Sequence, residues 1–364
     1  MALGAAQVRI CRNSRVFLKY KSLLVSLLVL LGGCEATNQA QDPKPAPVAV
    51  FKPTPQPAPE PTPAPAMAKT PPRGLSVALP VDDPKIATEV CWTDTNVQMV
   101  LLRTKWSSIE PSPGVFDWGY FDAGLALCQK YGKRAQMSIN GGARYYPSWL
   151  SVQKWKTNKG GYSPCPWDPK LQTEVAKMIA VFGARYDENP LLSSVTMWAG
   201  GRGIETFFCQ TPAQQKVLDA AGGPSIFITA SEAIIDAYAK AFPTTPIYLA
   251  TGNAYPDGRT TMTTIAKYML SKYPNSGLQS CALSSRYPSG KLFPHTKIRS
   301  SKVRHIGFQF LLALTSPQMA GSTLETTLTN GLNYGAAWVQ AYPTDPVTDP
   351  AAAAKFNSQA RSDL

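Results

Sequence analysis

Short apolar runs bounded by turn residues recur along the chain from Gly74 onward. They are Leu75 to Leu79, Val97 to Leu102, Ala135 to Ile139, Leu192 to Met197, Ile247 to Ala250, Leu278 to Leu283, His305 to Phe310 and Ala337 to Tyr342. Most positions in them are apolar, as a strand covered on both faces requires. Longer segments between them carry helical patterning, near Tyr120 to Tyr131, Asp168 to Tyr186, Ser225 to Phe242, Met262 to Tyr273 and Thr323 to Asn333. Asp168-Pro169 opens one of these with an N-cap acid and a proline at the first helical position. An Ala-rich stretch after Asp349 predicts a closing helix. Eight strands alternating with helices predict an α/β fold, a single (β/α)8 TIM barrel over residues 74–364. An open doubly wound sheet is the other arrangement this alternation allows, and the strand count and length favour the barrel.

The chain before Gly74 has a different character. Arg9, Arg12, Arg15, Lys19 and Lys21 precede the apolar run Leu23 to Leu31, too short to span a bilayer, and then Leu31-Gly32-Gly33-Cys34. Residues 1–33 therefore read as a signal peptide, and the last four resemble a lipobox, which makes Cys34 the expected lipidation site of an exported lipoprotein of the cell envelope. Residues 34–73 are dominated by Pro, Ala, Thr and Lys; proline at alternate positions removes donors and fixes φ, so this is expected to be a disordered tether. At roughly 3.1 Å per residue it reaches on the order of 120 Å.

The formal charge is +13 and stays strongly positive without the leader, which favours anionic surfaces or polymers. No nucleic-acid motif accompanies that charge, so nucleic acid is not an expected partner. Beyond the leader, Cys91, Cys128, Cys165, Cys209 and Cys281 remain, and a bridge between Cys165 and Cys209 is expected because both lie in neighbouring loops on one rim of the barrel. None of these cysteines shows zinc-site spacing, and the histidines are only His295 and His305, so neither a metal nor another cofactor is expected.

The chemistry concentrates in Met197-Trp-Ala-Gly-Gly-Arg-Gly-Ile-Glu205-Thr-Phe-Phe208, at the end of the fourth strand. Its glycines permit close approach of a ligand, and Glu205 stands among Trp198, Phe207 and Phe208. Aromatic surroundings desolvate a carboxylate and raise its pKa toward the range of a general acid. The plainer alternative is a Gly-rich turn followed by a helix-starting glutamate.

The segment Arg103-Thr-Lys-Trp106-Ser-Ser-Ile-Glu110-Pro-Ser-Pro-Gly114-Val-Phe-Asp117-Trp118 resembles the strand-two region of retaining (β/α)8 glycoside hydrolases, particularly family 42 β-galactosidase-like catalytic domains. Pro147-Ser-Trp149-Leu150 and Arg185-Tyr186 are similar too. The resemblance implies that Glu205 is the acid/base glutamate, that Arg103 orients carboxylates and that Glu110 is structural. Two positions depart from the pattern: Ile204 replaces the asparagine before the acid, and Gln309 stands in the seventh strand where the family places its nucleophile. A glutamine forms no glycosyl ester, so a second carboxylate must come from elsewhere, or the chain binds sugar without cleaving it.

Asp257 is the candidate second carboxylate; Asp82, Asp83 and Asp345 also follow strands, and all read equally as turn residues, while Glu325 reads as a solvated helical residue. Arg103, Trp106, Asn140, Tyr146, Trp149, Trp198, Arg202, Tyr255, Gln309 and Trp338 are the expected carbohydrate-binding residues, the aromatic ones for stacking on sugar C–H faces. Lys291 to His305 carries several bases and no acid, either a solvated loop or a contact for an anionic polysaccharide. Two functions follow as expectations: glycoside hydrolysis with Glu205 as proton donor, or non-catalytic carbohydrate binding by a cell-envelope lipoprotein. A cell-envelope scaffold protein is a third.

Overall fold

Among the described residues, the barrel strands leave no free edge. In the computed structural model, eight parallel strands close on themselves in the order β1-β10-β9-β8-β7-β6-β3-β2, which is chain order around the ring. The strands are β1 (Gly74–Val81), β2 (Met99–Lys105), β3 (Arg134–Asn140), β6 (Leu192–Met197), β7 (Ile247–Thr251), β8 (Ser276–Leu283), β9 (Ile306–Phe310) and β10 (Trp338–Ala341). The structure describes residues 69–157, 161–197, 199, 209, 211–252, 255–257, 260–286 and 306–360. The expected leader and most of the expected tether lie outside them, as do Cys34, the stretch 200–208 and the basic loop 291–305.

Helices α2 (Gly119–Lys130), α3 (Pro169–Tyr186), α5 (Pro224–Ala241), α6 (Thr260–Lys272), α7 (Leu324–Asn333) and α8 (Pro350–Gln359) fall where the periodicity predicts them. Local chemistry starts them. The Asp168 carboxylate accepts from the N–H groups of Lys170 (2.8 Å) and Leu171 (3.1 Å), and Asp349 accepts from that of Ala352 (2.9 Å). Three elements were not legible in the apolar pattern: a short helix α1 (Trp106–Ile109), a hairpin of β4 (Lys154–Lys156) with β5 (Tyr162–Pro164), and helix α4 (Pro212–Ala221). The last carries a full capping box, Thr211 with Gln214, and a proline at its start.

The apolar core lies between strands and helices. Val77, Leu102, Met137, Val195 and Leu249 pack with Phe121, Met178, Phe182, Ile235 and Ile265. Trp118, Phe121, Phe182, Tyr186 and Phe242 form a chain of ring contacts at 5.0–5.9 Å that ties α2, α3 and α5 together. Gly183 sits directly under the backbone of Ala241, so a Cβ there would force α3 away from α5.

The barrel interior is polar instead. Gln136 Oε1 accepts from Ser76 Oγ (2.7 Å) and Gln340 Nε2 (2.9 Å), and Gln136 Nε2 donates to Ser194 Oγ (3.2 Å). Gln279 Nε2 donates to Gln340 Oε1 (2.7 Å) while Gln279 Oε1 accepts from Thr196 Oγ1 (2.8 Å). Three glutamines, two serines and a threonine from five strands thus join across the axis, all buried. Beneath them, toward the strand N-termini, Met99, Tyr248, Ala337 and Trp338 form a plug, with Trp338 edge-on to Tyr248 at 5.1 Å. The chain enters below this plug: Lys69 N donates to Thr244 O (2.8 Å), Lys69 Nζ to Asn189 O (2.7 Å) and Arg134 Nη2 to Thr70 O (3.0 Å).

Gln340 bridges the other two glutamines, so the near-isosteric Gln340→Leu should leave the Gln279 amide without its acceptor. The expected loss of stability is about 1–3 kcal/mol, read as a lower urea midpoint at unchanged slope. An unchanged midpoint would show that the network contributes nothing net.

Candidate active site at the barrel mouth

Register decides which residues face the axis. Gln136 points inward, so Ser138 and Asn140, two and four residues later on β3, share that face. Arg103 pairs in register with Ser138, and Gln309 pairs with the inward-pointing Gln340. Arg103, Asn140 and Gln309 therefore face the barrel axis toward the C-terminal ends of their strands, the end where barrels of this kind carry their chemistry. Arg103 is anchored by its Nε, which donates to Leu79 O (2.8 Å). Asn140 is fully buried, and its Oδ1 meets Ser138 Oγ at 3.5 Å. Asn140 Nδ2 and Gln309 Nε2 are buried donors that find no acceptor among the described residues.

The chain leaves β6 at its mouth end and runs straight into the segment holding Glu205, Trp198 and Arg202, three expected site residues that lie outside the described ones.

Other expected residues occupy different places. Trp338 stands at the first position of β10, 0% exposed in the bottom plug over Gly307, where no sugar stacks on it. Trp106 is likewise 0% exposed, its Nε1 donating to Glu110 Oε2 (2.7 Å) and its ring edge-on to Trp149. Both are corrections to the expected stacking set: an aromatic next to a strand end is as available to the core as to a ligand. Tyr255 is buried too, its hydroxyl donating to Asp219 (2.9 Å) and accepting from Gln215 (3.2 Å), so it ties the loop after β7 to α4. Trp149 and Tyr146 stay half-buried; Trp149 Nε1 donates to Glu110 O (2.9 Å), and the Lys154 ammonium sits 4.9 Å from the Tyr146 ring. Glu110 takes its two side-chain oxygens to Trp106 and Gly114, a structural arrangement that leaves none for chemistry.

The strand-end carboxylates divide in the same way. Asp82 adopts φ 52°, in the left-handed region, and pairs with Lys105 at 3.0 Å. Burial works against its charge, but hydrogen bonds from Thr104, Lys105 and Ser108 together outweigh that and hold its carboxyl below the usual range. Asp345 is fully committed to the N–H groups of Leu314 and Tyr342, each at 2.9 Å, and burial raises its pKa. Asp257 spends Oδ2 on Thr261 at the start of α6, while Oδ1 is buried without a partner among the described residues. Asp83 is buried with Oδ1 on Lys85 N (2.9 Å), and it faces Glu89, whose pKa is raised by burial and by the Asp83 charge. Glu325 is solvated and pairs loosely with Lys355 at 3.4 Å.

The expected Cys165–Cys209 bridge does not form, and both residues stand as separate thiols. Cys165 is drawn into the apolar core behind the β4–β5 hairpin, and Cys209 Sγ is turned toward Thr211 O at 3.8 Å. Packing claimed these side chains before proximity in sequence order could pair them.

No protein-family model matches the chain, and no curated protein matches it in sequence. Solved structures do resemble it. The catalytic domain of β-amylase from Paenibacillus polymyxa superposes with TM-score 0.56 at 13% identity, covering 81% of this chain and 98% of that one. The fold is a closed (β/α)8 barrel. β-Galactosidases from the psychrophilic Marinomonas ef1 and from Bacillus circulans sp. alkalophilus give TM-scores of 0.51 and 0.54, each at 13% identity, over 74% and 75% of this chain. The chain spans 54% and 50% of those two proteins, about half their length. A β-amylase and β-galactosidases appear side by side, so the likeness does not single out family 42.

Burial pushes the Cys165 thiol up to about 12 and the Cys209 thiol up to about 11. Neither is a thiolate at neutral pH, so both should alkylate very slowly at pH 8 in the native protein and promptly in denaturant. Peptide mapping without reduction checks this, and recovery of a disulfide-linked pair containing both would contradict it.

Proposed function

We propose that this chain is a glycoside hydrolase acting at the barrel mouth, with Glu205 as general acid. The observation that carries the reading is the pair of buried amide donors, Asn140 Nδ2 and Gln309 Nε2, without acceptors among the described residues toward the C-terminal end of a closed parallel barrel. Burying a donor without an acceptor costs about 1–3 kcal/mol, a cost that a ligand offering oxygen acceptors removes. Sugar hydroxyls are such acceptors, and Arg103 adds charge on the same face.

In sequence Glu205 follows the fourth barrel strand, in a stretch with the glycines and aromatic residues that a general acid at a sugar site calls for. Gln309 holds a sugar hydroxyl but does not attack carbon, so a covalent glycosyl intermediate on β9 is ruled out by its chemistry. Inversion fits better: a water enters between the acid and a base, and Asp257, with Oδ1 uncommitted, is the candidate base. The competing reading is a carbohydrate-binding protein without turnover, and the amide at position 309 is the observation that favours it. Export with a lipid on Cys34 completes the proposal and places the substrate in or beyond the cell envelope.

Glu205→Gln should lower any hydrolytic rate by about 10²–10⁴-fold while sugar affinity is kept. NMR of the first-formed product should show inverted configuration. Retention would place the nucleophile on another carboxylate, and saturable binding without turnover, indifferent to Glu205→Gln, would favour the binding protein. Gln309→Ala should weaken sugar binding about three- to tenfold, as loss of one hydrogen bond requires. Separately, Cys34→Ser should abolish labelled-palmitate incorporation and release the protein from membranes; unchanged fractionation would remove the anchor from the proposal.

A further inference from the structure

On the rim of the mouth a groove of about 610 Å³ opens between the chain around the β4–β5 hairpin and helix α4. The hairpin follows β3 and α4 follows β6, so both walls rise from the C-terminal ends of neighbouring strands. Val217, Ala220 and Ala221 form its floor; at spacings of three and four residues they share one face of α4, and their small size keeps that floor low. Trp167 forms the wall. Its ring is half-buried and held edge-on, at 5.2 Å and 84°, by Trp155, which is itself buried.

Two polar side chains, Gln153 and Lys216, complete the lining. Gln153 is fixed through its backbone: its N–H donates to Asp168 Oδ2 (2.7 Å), and its carbonyl accepts from Cys165 N (2.9 Å). Asp168, the nearby acid, is spent on that contact and on capping α3. The groove therefore offers a rigid indole face, a low apolar floor, and an amide and an ammonium at its edge. That combination suits a ring with apolar faces and hydroxyls around its rim. The edges that β4 and β5 offer an extended peptide are only three residues long.

The geometry points to a second carbohydrate-binding site in this groove, in which a pyranose stacks on Trp167 and its hydroxyls reach Gln153 and Lys216. It rests on reading the mouth as a carbohydrate site, because its position on the same rim lets one glycan chain occupy both. Short sugars then fill the mouth alone, and longer chains gain affinity by reaching the groove.

The test compares maltose with maltoheptaose, and galactobiose with a β-1,4-galactan, by calorimetry on the full chain. Ala220→Glu fills the groove from an exposed helical position one turn from Lys216, and the new carboxylate draws that ammonium away. It leaves the Trp167–Trp155 packing in place, so it serves where Trp167→Ala fails to fold. Both variants should weaken binding of the long probes about tenfold, and leave the disaccharides unchanged. Long-probe affinity unmoved by Ala220→Glu, or long and short probes weakened equally by it, overturns the groove site. So does the absence of binding by every probe; the mouth is then judged by the effect of Glu205→Gln on hydrolysis. Long-probe binding lost with Ala220→Glu but untouched by Gln309→Ala keeps the groove and removes the mouth.

Discussion

A lattice of side-chain amides across the barrel axis is the constraint on which the rest of this structure depends. Gln136, Gln279 and Gln340, with Ser76, Ser194 and Thr196, fill the space that branched aliphatic side chains usually occupy in such barrels. A buried amide is costly unless its donors and acceptors are met, so this interior tolerates only one register. Sliding a strand by one residue would turn its glutamine toward the helices and an apolar side chain toward the axis. The register in turn carries Arg103, Asn140 and Gln309 to the mouth.

The two ends of the barrel are built for opposite purposes. The lower end is closed by Trp338, Tyr248 and Met99, and the segment from Lys69 crosses beneath it. At the upper end most acids are already occupied: Asp82 by Lys105 and its neighbours, Asp345 by two backbone N–H groups, Glu110 by Trp106 and Gly114. These carboxylates hold loops in place and are poor proton carriers. Among the described residues, the buried polar atoms without a partner after the barrel strands include the amide donors of Asn140 and Gln309 and one oxygen each of Asp83 and Asp257.

Much of this architecture was legible in the residues. Each barrel strand announced itself as a short apolar run because its outward face meets helices, and Leu192–Met197 coincides with β6 from end to end. Asp168-Pro169 marked a helix start because capping is settled within one turn, and the Ala-rich stretch after Asp349 marked the closing helix. Helix α4 escaped notice because it is short and its burial rests on Gln214 and Leu218, a pattern too sparse to register as periodic.

The site was less legible. Arg103, Asn140 and Gln309 were named as polar residues at strand ends, but nothing local told Trp106 and Trp338, which the core absorbs, from Trp149, which stays half-exposed. Cys165 and Cys209 likewise looked like neighbours on one rim and were left as separate buried thiols. By itself the sequence determined the eight barrel strands, most of the helices and the Asp168 cap, which follow from periodicity and chemistry over a few residues, and the strand count favoured a closed barrel over an open sheet. Only the tertiary structure decided which aromatics face the core, which acids are already bonded and which buried donors remain open, because those depend on contacts between segments far apart in the chain.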